Sequence, residues 1–221
     1  MRLYLDSFSS DAWSRWMPSG LFHGITTNPL LAEKAGAVYK QTDWATRAKR
    51  AADVGAQEIH FQAHGPATGY ARFADTILSA GQAAGIRTVV KVPLVPEGIA
   101  QVPTLKAMGC PILMTACYDA KQMFVAAALQ ADYIAPYFGR MLEGGLPAYD
   151  ALDQMRAIAA QPDVKTRVMV ASLRTTEQMC RLAAQGHDCF TLSADLAETL
   201  TIDPMSTAAV AAFETAAKAG A

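Results

Sequence analysis

The chain has 221 residues, 52% of them hydrophobic and 18% charged, with a formal net charge of −1. That length fits one large domain or two small ones, and the composition supports a large core rather than a disordered chain. The balanced charge excludes a general attraction to nucleic acid or to an anionic membrane surface, so any anion site must be local.

Short apolar runs alternate with alanine-rich helical patterns from end to end. Strands are predicted at Arg2–Leu5, Gly24–Thr26, Glu58–Gln62, Thr88–Val92, Pro111–Thr115, Tyr133–Ala135, Arg167–Ala171 and Cys189–Leu192. Helical patterns lie between them at Thr42–Val54, Thr68–Ala84, Tyr118–Gln130, Ala148–Ala160 and Thr175–Ala184. Gly55, Gly85, Gly109 and Gly186 stand where helices stop, and the next strand follows within a few residues. Eight β/α repeats in this length predict an α/β fold, a single (β/α)8 TIM barrel domain over residues 1–221. The runner-up, a doubly wound sheet, lacks a glycine-rich phosphate fingerprint after the first strand. The C-terminal stretch Pro204–Ala221 predicts a helix whose apolar stripe, at Val210 and Phe213, can pack on its own barrel or on a neighbouring subunit.

No apolar run approaches the roughly 20 residues needed to span a bilayer. The first residues, MRLYLD, open a strand and lack the plan of a signal peptide. Cys110, Cys117, Cys180 and Cys189 occur without any CxxC spacing. They read as reduced thiols of a cytoplasmic protein. His60 and His64 flank a strand end with no third ligand nearby, so they read as structural rather than as a metal site.

The strand ends carry the chemistry. In chain order they offer Asp6, Thr26 with Asn28, Gln62, Lys91, Thr115, Tyr137, Ser172 with Arg174, and Ser193. Each has a plain explanation: a helix cap for Ser193, a turn for Asn28, a solvated charge for Arg174. In a barrel, however, all of them converge on the mouth where active sites of this fold are built. Lys91 is the most informative. It sits in the run Thr88–Pro93, which reads as a strand buried on both faces. Burial pulls a lysine pKa down, and a neutral amine can form a Schiff base with a carbonyl. The alternative is a lysine that snorkels to the surface or ion-pairs. Asp6 reaches the same mouth, as an ion-pair partner or as the group that orients and helps deprotonate the amine. Gln62, Thr115 and Tyr137 are uncharged groups able to position a water or pass a proton, or they satisfy a polar pocket. Arg140, Ser172 and Arg174 form a second cluster suited to phosphate, at the late-strand position usual in such barrels.

The segments LYLDS (3–7), GITTNP (24–29), VVKVP (89–93), TACY (115–118), YIAPYFGR (133–140) and VMVASLR (168–174) together resemble the transaldolase family. They are most similar to its short branch, which includes fructose-6-phosphate aldolase. The resemblance implies a cofactor-free and metal-free enzyme of carbohydrate metabolism, of the pentose phosphate type. Lys91 would form a Schiff base with a ketose donor, whose hydroxyls Asp6, Asn28 and Thr26 would hold. Thr115 would place the catalytic water, and Arg140, Ser172 and Arg174 would hold the sugar phosphate. Gln62 and Tyr137 are the aldolase-like choices where transaldolases carry glutamate and phenylalanine. Two positions depart from the pattern: Leu30 follows Pro29 where the family has serine, and His60 replaces an apolar residue on the barrel's inner face. The expectation is therefore an aldolase that cleaves the C3–C4 bond of a ketose phosphate such as fructose 6-phosphate. The second expectation is a transaldolase that passes the dihydroxyacetone unit to an aldose phosphate. An isomerase using Lys91 electrostatically, or a non-catalytic sugar-phosphate-binding barrel, would leave no adduct on borohydride trapping. The resemblance further implies a homo-oligomer, with a ring-shaped decamer as the family precedent.

Overall fold

The computed structural model of the chain describes residues 1–219. Eight strands form: β1 (Arg2–Asp6), β2 (Gly24–Thr26), β3 (Glu58–Gln62), β4 (Arg87–Pro93), β5 (Ile112–Cys117), β6 (Tyr133–Pro136), β7 (Arg167–Val168) and β8 (Cys189–Leu192). Neighbours pair in parallel in the order β7-β6-β5-β4-β3-β2-β1-β8. The ring closes between β7 and β8 through a parallel bridge of Val170 and Phe190. There the Val170 N–H donates to the Cys189 carbonyl and the Thr191 N–H to the Val170 carbonyl, both at 2.9 Å. Helices fill the connections, so the architecture is the expected (β/α)8 barrel.

Period-2 alternation gives each strand two faces. In β4, Val90 and Val92 pack outward with Ile59, Phe61, Ile112 and Met114 against the helices. Val89 packs inward with Tyr4, Leu113, Tyr133, Ala135, Met169 and Cys189. Both sets are buried, and each fully buried aliphatic side chain contributes about 1.5–3 kcal/mol. Gly24 is required by closeness: a Cβ there would stand 2.4 Å from the Glu58 carbonyl oxygen. Helix starts follow their capping residues. Asp43, Thr175 and Ser193 accept backbone N–H groups of Trp44–Asp53, Thr176–Ala184 and Ala194–Thr201 respectively, each contact supplying one of the missing partners of a helix N-terminus.

Three of the shifts from the predicted bounds have local reasons. Regular β7 ends at Val168, and the segment to Ala171 continues as single bonds, with Met169 N–H on the Ile134 carbonyl and Ala171 N–H on the Pro136 carbonyl. β5 runs on to Cys117 through a register shift, with Ala116 in the left-handed region at φ 60°. The helix predicted from Tyr118 begins at Gln122, because the Gln122 side-chain oxygen holds the Tyr118 and Asp119 N–H groups in a turn.

The barrel floor is polar. Glu58 is buried, accepts from Tyr4 Oη at 3.0 Å and Tyr133 Oη at 3.1 Å, and pairs with Arg87. His60 lies inside the barrel with its Nε2 3.0 Å from Glu58 Oε2. Burial pulls the His60 pKa down to about 4, so a neutral imidazole donates Nε2–H to Glu58. Burial alone would raise the Glu58 carboxyl; contacts with His60 and Arg87 outweigh it and hold the group below the usual carboxylate range.

The helix Pro204–Lys218 starts at an Asp203 cap and buries no residue of its own. Met205, Val210 and Phe213 on it are 82%, 57% and 70% exposed. Its apolar stripe therefore does not pack on its own barrel, which removes one of the two predicted alternatives. Residues 220 and 221 of the predicted stretch lie outside the described residues. Among the described residues no helix is long and apolar enough to cross a membrane.

Candidate active site

The C-terminal strand ends surround a cavity of about 790 Å³. Asp6, Thr26, Asn28, Gln62, Lys91, Tyr137, Arg140, Ser172, Arg174 and Ser193 all line it, so the fold brings the strand-end residues singled out in the sequence to one mouth, Thr115 excepted. Thr115 is not on the wall; it sits behind Tyr137, 1% exposed, with its Oγ1 2.9 Å from the Tyr137 hydroxyl.

Lys91 stands at the inner end of this cavity. It points inward because it shares strand parity with Val89, and its residue is 4% exposed. Its Nζ donates to the Thr27 carbonyl at 2.7 Å. Burial lowers its pKa below the ordinary lysine value, while the Asp6 charge works in the opposite direction. Of the two readings of Asp6, the direct ion pair with Lys91 is not formed. The Asp6 Oδ1 instead accepts from Thr26 Oγ1 at 2.7 Å, and Thr26 Oγ1 lies 2.6 Å from Thr191 Oγ1. This Asp6–Thr26–Thr191 chain anchors the carboxylate across β1, β2 and β8, aimed at the amine's neighbourhood without neutralising it. Sequence reading missed Thr191, although its parity with Cys189 in the CFTL run places it on the inner face.

Asn28, whose plain reading was a turn, is a helix cap. Its Oδ1 caps the helix Pro29–Lys34 by accepting the Leu31 N–H at 3.0 Å. Its NH2 has no partner among the described residues and faces the cavity side. Ser193 likewise caps a helix, as its plain explanation had it, accepting the Leu196 N–H at 3.2 Å. Gln62 is held by its backbone: Tyr39 Oη donates to the Gln62 carbonyl at 3.0 Å and lies 2.7 Å from the Gln62 N–H.

Tyr137 lines the same cavity, next to Arg140. Burial raises its pKa above the ordinary value of 10, with the Thr115 hydrogen bond opposing, so the phenol is neutral at neutral pH. The Tyr118 ring meets it edge-on at 5.5 Å, and the Arg140 guanidinium is 5.1 Å from its centroid. The cluster of Arg140, Ser172 and Arg174 departs from expectation in one respect. Arg174 is not a free solvated charge: its Nε donates to Glu143 Oε1 at 2.7 Å and its Nη1 to the Ser172 carbonyl at 3.0 Å. Ser172 is left-handed at φ 63°. Its carbonyl lies where a Cβ on Gly139 would stand, 2.0 Å away, so only glycine fits there. Glu143 was missed because nothing in the sequence around it signals a partner thirty-one residues on.

His60 and His64 do not meet at a common ligand site. His60 belongs to the floor, and His64 stacks edge-on against Tyr39 and Phe73.

The Transaldolase/Fructose-6-phosphate aldolase family profile matches residues 3–221. The chain belongs to this family. Among its relatives, a "Probable transaldolase" of Phenylobacterium zucineum (strain HLK1) is 30% identical, covering 93% of this chain and 91% of its own length. Another, of Leptospira biflexa serovar Patoc, is 29% identical over 96% of both chains. Solved structures of the same fold include a mandelate oxidase variant, TM-score 0.61 at 14% identity, covering 88% of this chain. This chain spans 64% of that oxidase's length. A thiamine phosphate pyrophosphorylase from Pyrococcus furiosus has TM-score 0.58 at 12% identity over 87% of this chain. At these identities the likeness concerns the barrel alone. Family membership makes the protein an enzyme of the aldolase/transaldolase type.

Proposed function

We propose that the protein is a class I aldolase that cleaves or forms the C3–C4 bond of a ketose phosphate such as fructose 6-phosphate. The observation that carries this reading is Lys91: a buried amine, with its pKa depressed, at the inner end of a polar cavity. Nζ adds to the ketose C2 carbonyl and, with loss of the carbonyl oxygen as water, gives an iminium. Breaking C3–C4 sends its electron pair into the iminium. The C4 hydroxyl gives up its proton and becomes the carbonyl of the departing aldehyde fragment, leaving an enamine of the dihydroxyacetone unit on Lys91. Protonation of the enamine carbon and addition of water release dihydroxyacetone and restore the amine.

Asp6, anchored by Thr26, and the free amide end of Asn28 hold donor hydroxyls. Tyr137 and Thr115, joined at 2.9 Å, carry protons through a water, since Gln62 on the facing strand cannot titrate. Arg140, Ser172 and Arg174 hold the phosphate at the rim. No cofactor or metal enters this scheme. The second reading, transfer of the enamine to an aldose phosphate, is favoured by the names of the two relatives above. The exposed apolar stripe of Pro204–Lys218 fits a contact between subunits and hence a homo-oligomer, for which a decamer has the family precedent. Free thiols at Cys110, Cys117, Cys180 and Cys189 fit the cytoplasm.

Borohydride reduction in the presence of fructose 6-phosphate, followed by peptide mass mapping, tests the Schiff base. The expected adduct is on Lys91. An adduct on Lys34, which also lines the cavity, or on no lysine at all, overturns the assignment. Measuring release of dihydroxyacetone with and without an added aldose phosphate separates the two readings.

A further inference from the structure

The two arginines of the anion cluster are not in the same state. Arg140 extends over the Tyr137 ring and has no carboxylate partner among the described residues. Arg174 has one. The edge of its guanidinium formed by Nε and Nη2 faces Glu143, at 2.7 Å to Oε1 and 3.4 Å to Oε2, while Nη1 is turned back to the Ser172 carbonyl. That is the two-point edge by which a guanidinium grips a carboxylate or a phosphate. A phosphate therefore meets an arginine whose best edge is already occupied by an anion. The arrangement is built rather than accidental. Arg140 and Glu143 lie on the same short helix, Phe138–Glu143. Gly139 on that helix is what lets the Ser172 carbonyl approach and fix the Arg174 fork. The Glu143 side chain is 58% exposed, so it has room to swing into solvent when displaced.

We infer that Glu143 is a specificity-determining residue: an internal competitor that holds the phosphate-gripping edge of Arg174 and weakens selection for a phosphorylated terminus. With Glu143 in place the local charge of the two arginines and the carboxylate sums to +1 instead of +2. A substrate phosphate must exchange with a carboxylate rather than with water. A substrate ending in a neutral hydroxyl needs no such exchange. Glu143 thus narrows the preference between phosphorylated and unphosphorylated substrates of the same carbon skeleton. The inference rests on the proposed placement of the substrate phosphate at Arg140, Ser172 and Arg174.

The test uses inorganic phosphate as a competitive inhibitor, together with the ratio of kcat/KM for fructose 6-phosphate to that for fructose. It compares wild type, Glu143→Gln, Arg174→Ala and the double variant. Glu143→Gln keeps the side chain's size and removes its charge at an exposed position, and circular dichroism checks the fold. The expected result is a phosphate inhibition constant lower by roughly two- to fivefold, the size of an exposed ion pair, and a kcat/KM ratio raised by a similar factor. In the Arg174→Ala background the same substitution should change the inhibition constant much less, because the contested edge is gone. If Arg174→Ala leaves phosphate inhibition as in wild type, the phosphate is not held there, and both the placement and this inference fall. If Arg174→Ala weakens phosphate while Glu143→Gln leaves it unchanged or weakens it too, the placement stands. Glu143 is then a support that orients Arg174, and the inference is overturned. Equal effects of Glu143→Gln with and without Arg174 would also overturn it, because the carboxylate would be acting through its long-range charge alone.

Discussion

Consider Tyr137→Phe, which deletes one oxygen atom and leaves the ring beneath Arg140 and against Tyr118 in place. Structurally the loss is small: Thr115 loses its side-chain partner at 2.9 Å, a change of about 1 kcal/mol for a single neutral hydrogen bond. Catalytically it is large if the phenol carries protons. General acid–base catalysis by one positioned group contributes roughly 10²- to 10⁴-fold, or about 3–5.5 kcal/mol of barrier at ~1.4 kcal/mol per tenfold. The two magnitudes differ enough to separate the roles. Turnover of fructose 6-phosphate to free dihydroxyacetone should fall by at least about a hundredfold with little change in KM, as for an interaction made mainly in the transition state. The enamine would persist longer, so the ratio of transfer to cleavage should rise when an aldose phosphate is added. Burial holds the wild-type phenol above its ordinary pKa of 10, so below that pH no loss of activity should arise from Tyr137 ionising. The assay is release of dihydroxyacetone, run with and without acceptor. Unchanged kcat and an unchanged ratio would refute the relay and leave Tyr137 as a wall of the pocket.

Lys91→Ala should abolish borohydride trapping and nearly all turnover. Its melting temperature should not fall, because the buried amine is removed together with its desolvation cost; a strong loss of stability would contradict that view of the site. Arg140→Ala should raise KM for phosphorylated substrates by roughly ten- to a hundredfold, the worth of a charge-assisted hydrogen bond; wild-type KM for every active phosphorylated substrate would place the anion elsewhere. His60 governs stability in mild acid. Its folded pKa of about 4 lies below the unfolded value of 6.5, so between those values the unfolded chain binds a proton that the barrel refuses, and stability falls as pH falls. The shift amounts to about 3 kcal/mol across the window, and urea titrations of His60→Phe should show a flatter pH dependence there; equal slopes in variant and wild type would contradict it. Light scattering should find an assembly larger than a monomer at micromolar concentration, reduced in Phe213→Ser; a stable wild-type monomer would count against the helix Pro204–Lys218 as a contact surface.

The barrel was legible because it rests on local signals that repeat. Each strand is an apolar run of a few residues, most of the predicted strands are found within two residues of their bounds, and glycines such as Gly85, left-handed at φ 67°, end the helices as read. The mouth was legible for a topological reason. In parallel β/α units every strand's C-terminal end points the same way, so polar residues there converge whatever the details of packing. Lys91 needed only parity with Val89 to be placed inside.

What was not legible has one physical cause: a side-chain partnership across the fold leaves no periodic trace. The floor is the clearest case. In the run EIHFQ, parity alone puts Glu58, His60 and Gln62 on one face, yet nothing local says whether that face is wet or buried. The answer depends on Tyr4, Tyr133 and Arg87, which are delivered by three other strands. A buried carboxylate without those donors would cost several kcal/mol, so the sequence permits Glu58 only because of residues far from it. The same holds for Arg174. Read alone it is a cation at a strand end, and a cation there suggests a phosphate. Its charge at the mouth is set by Glu143, thirty-one positions earlier, on a helix whose approach depends on Gly139. Strand ends announce which groups reach a site, but the net charge they present is decided by pairings that only the closed barrel makes. Substrate preference in this enzyme is therefore expected to turn on such second partners, and comparing phosphorylated with unphosphorylated ketoses is a more searching measurement than either activity alone.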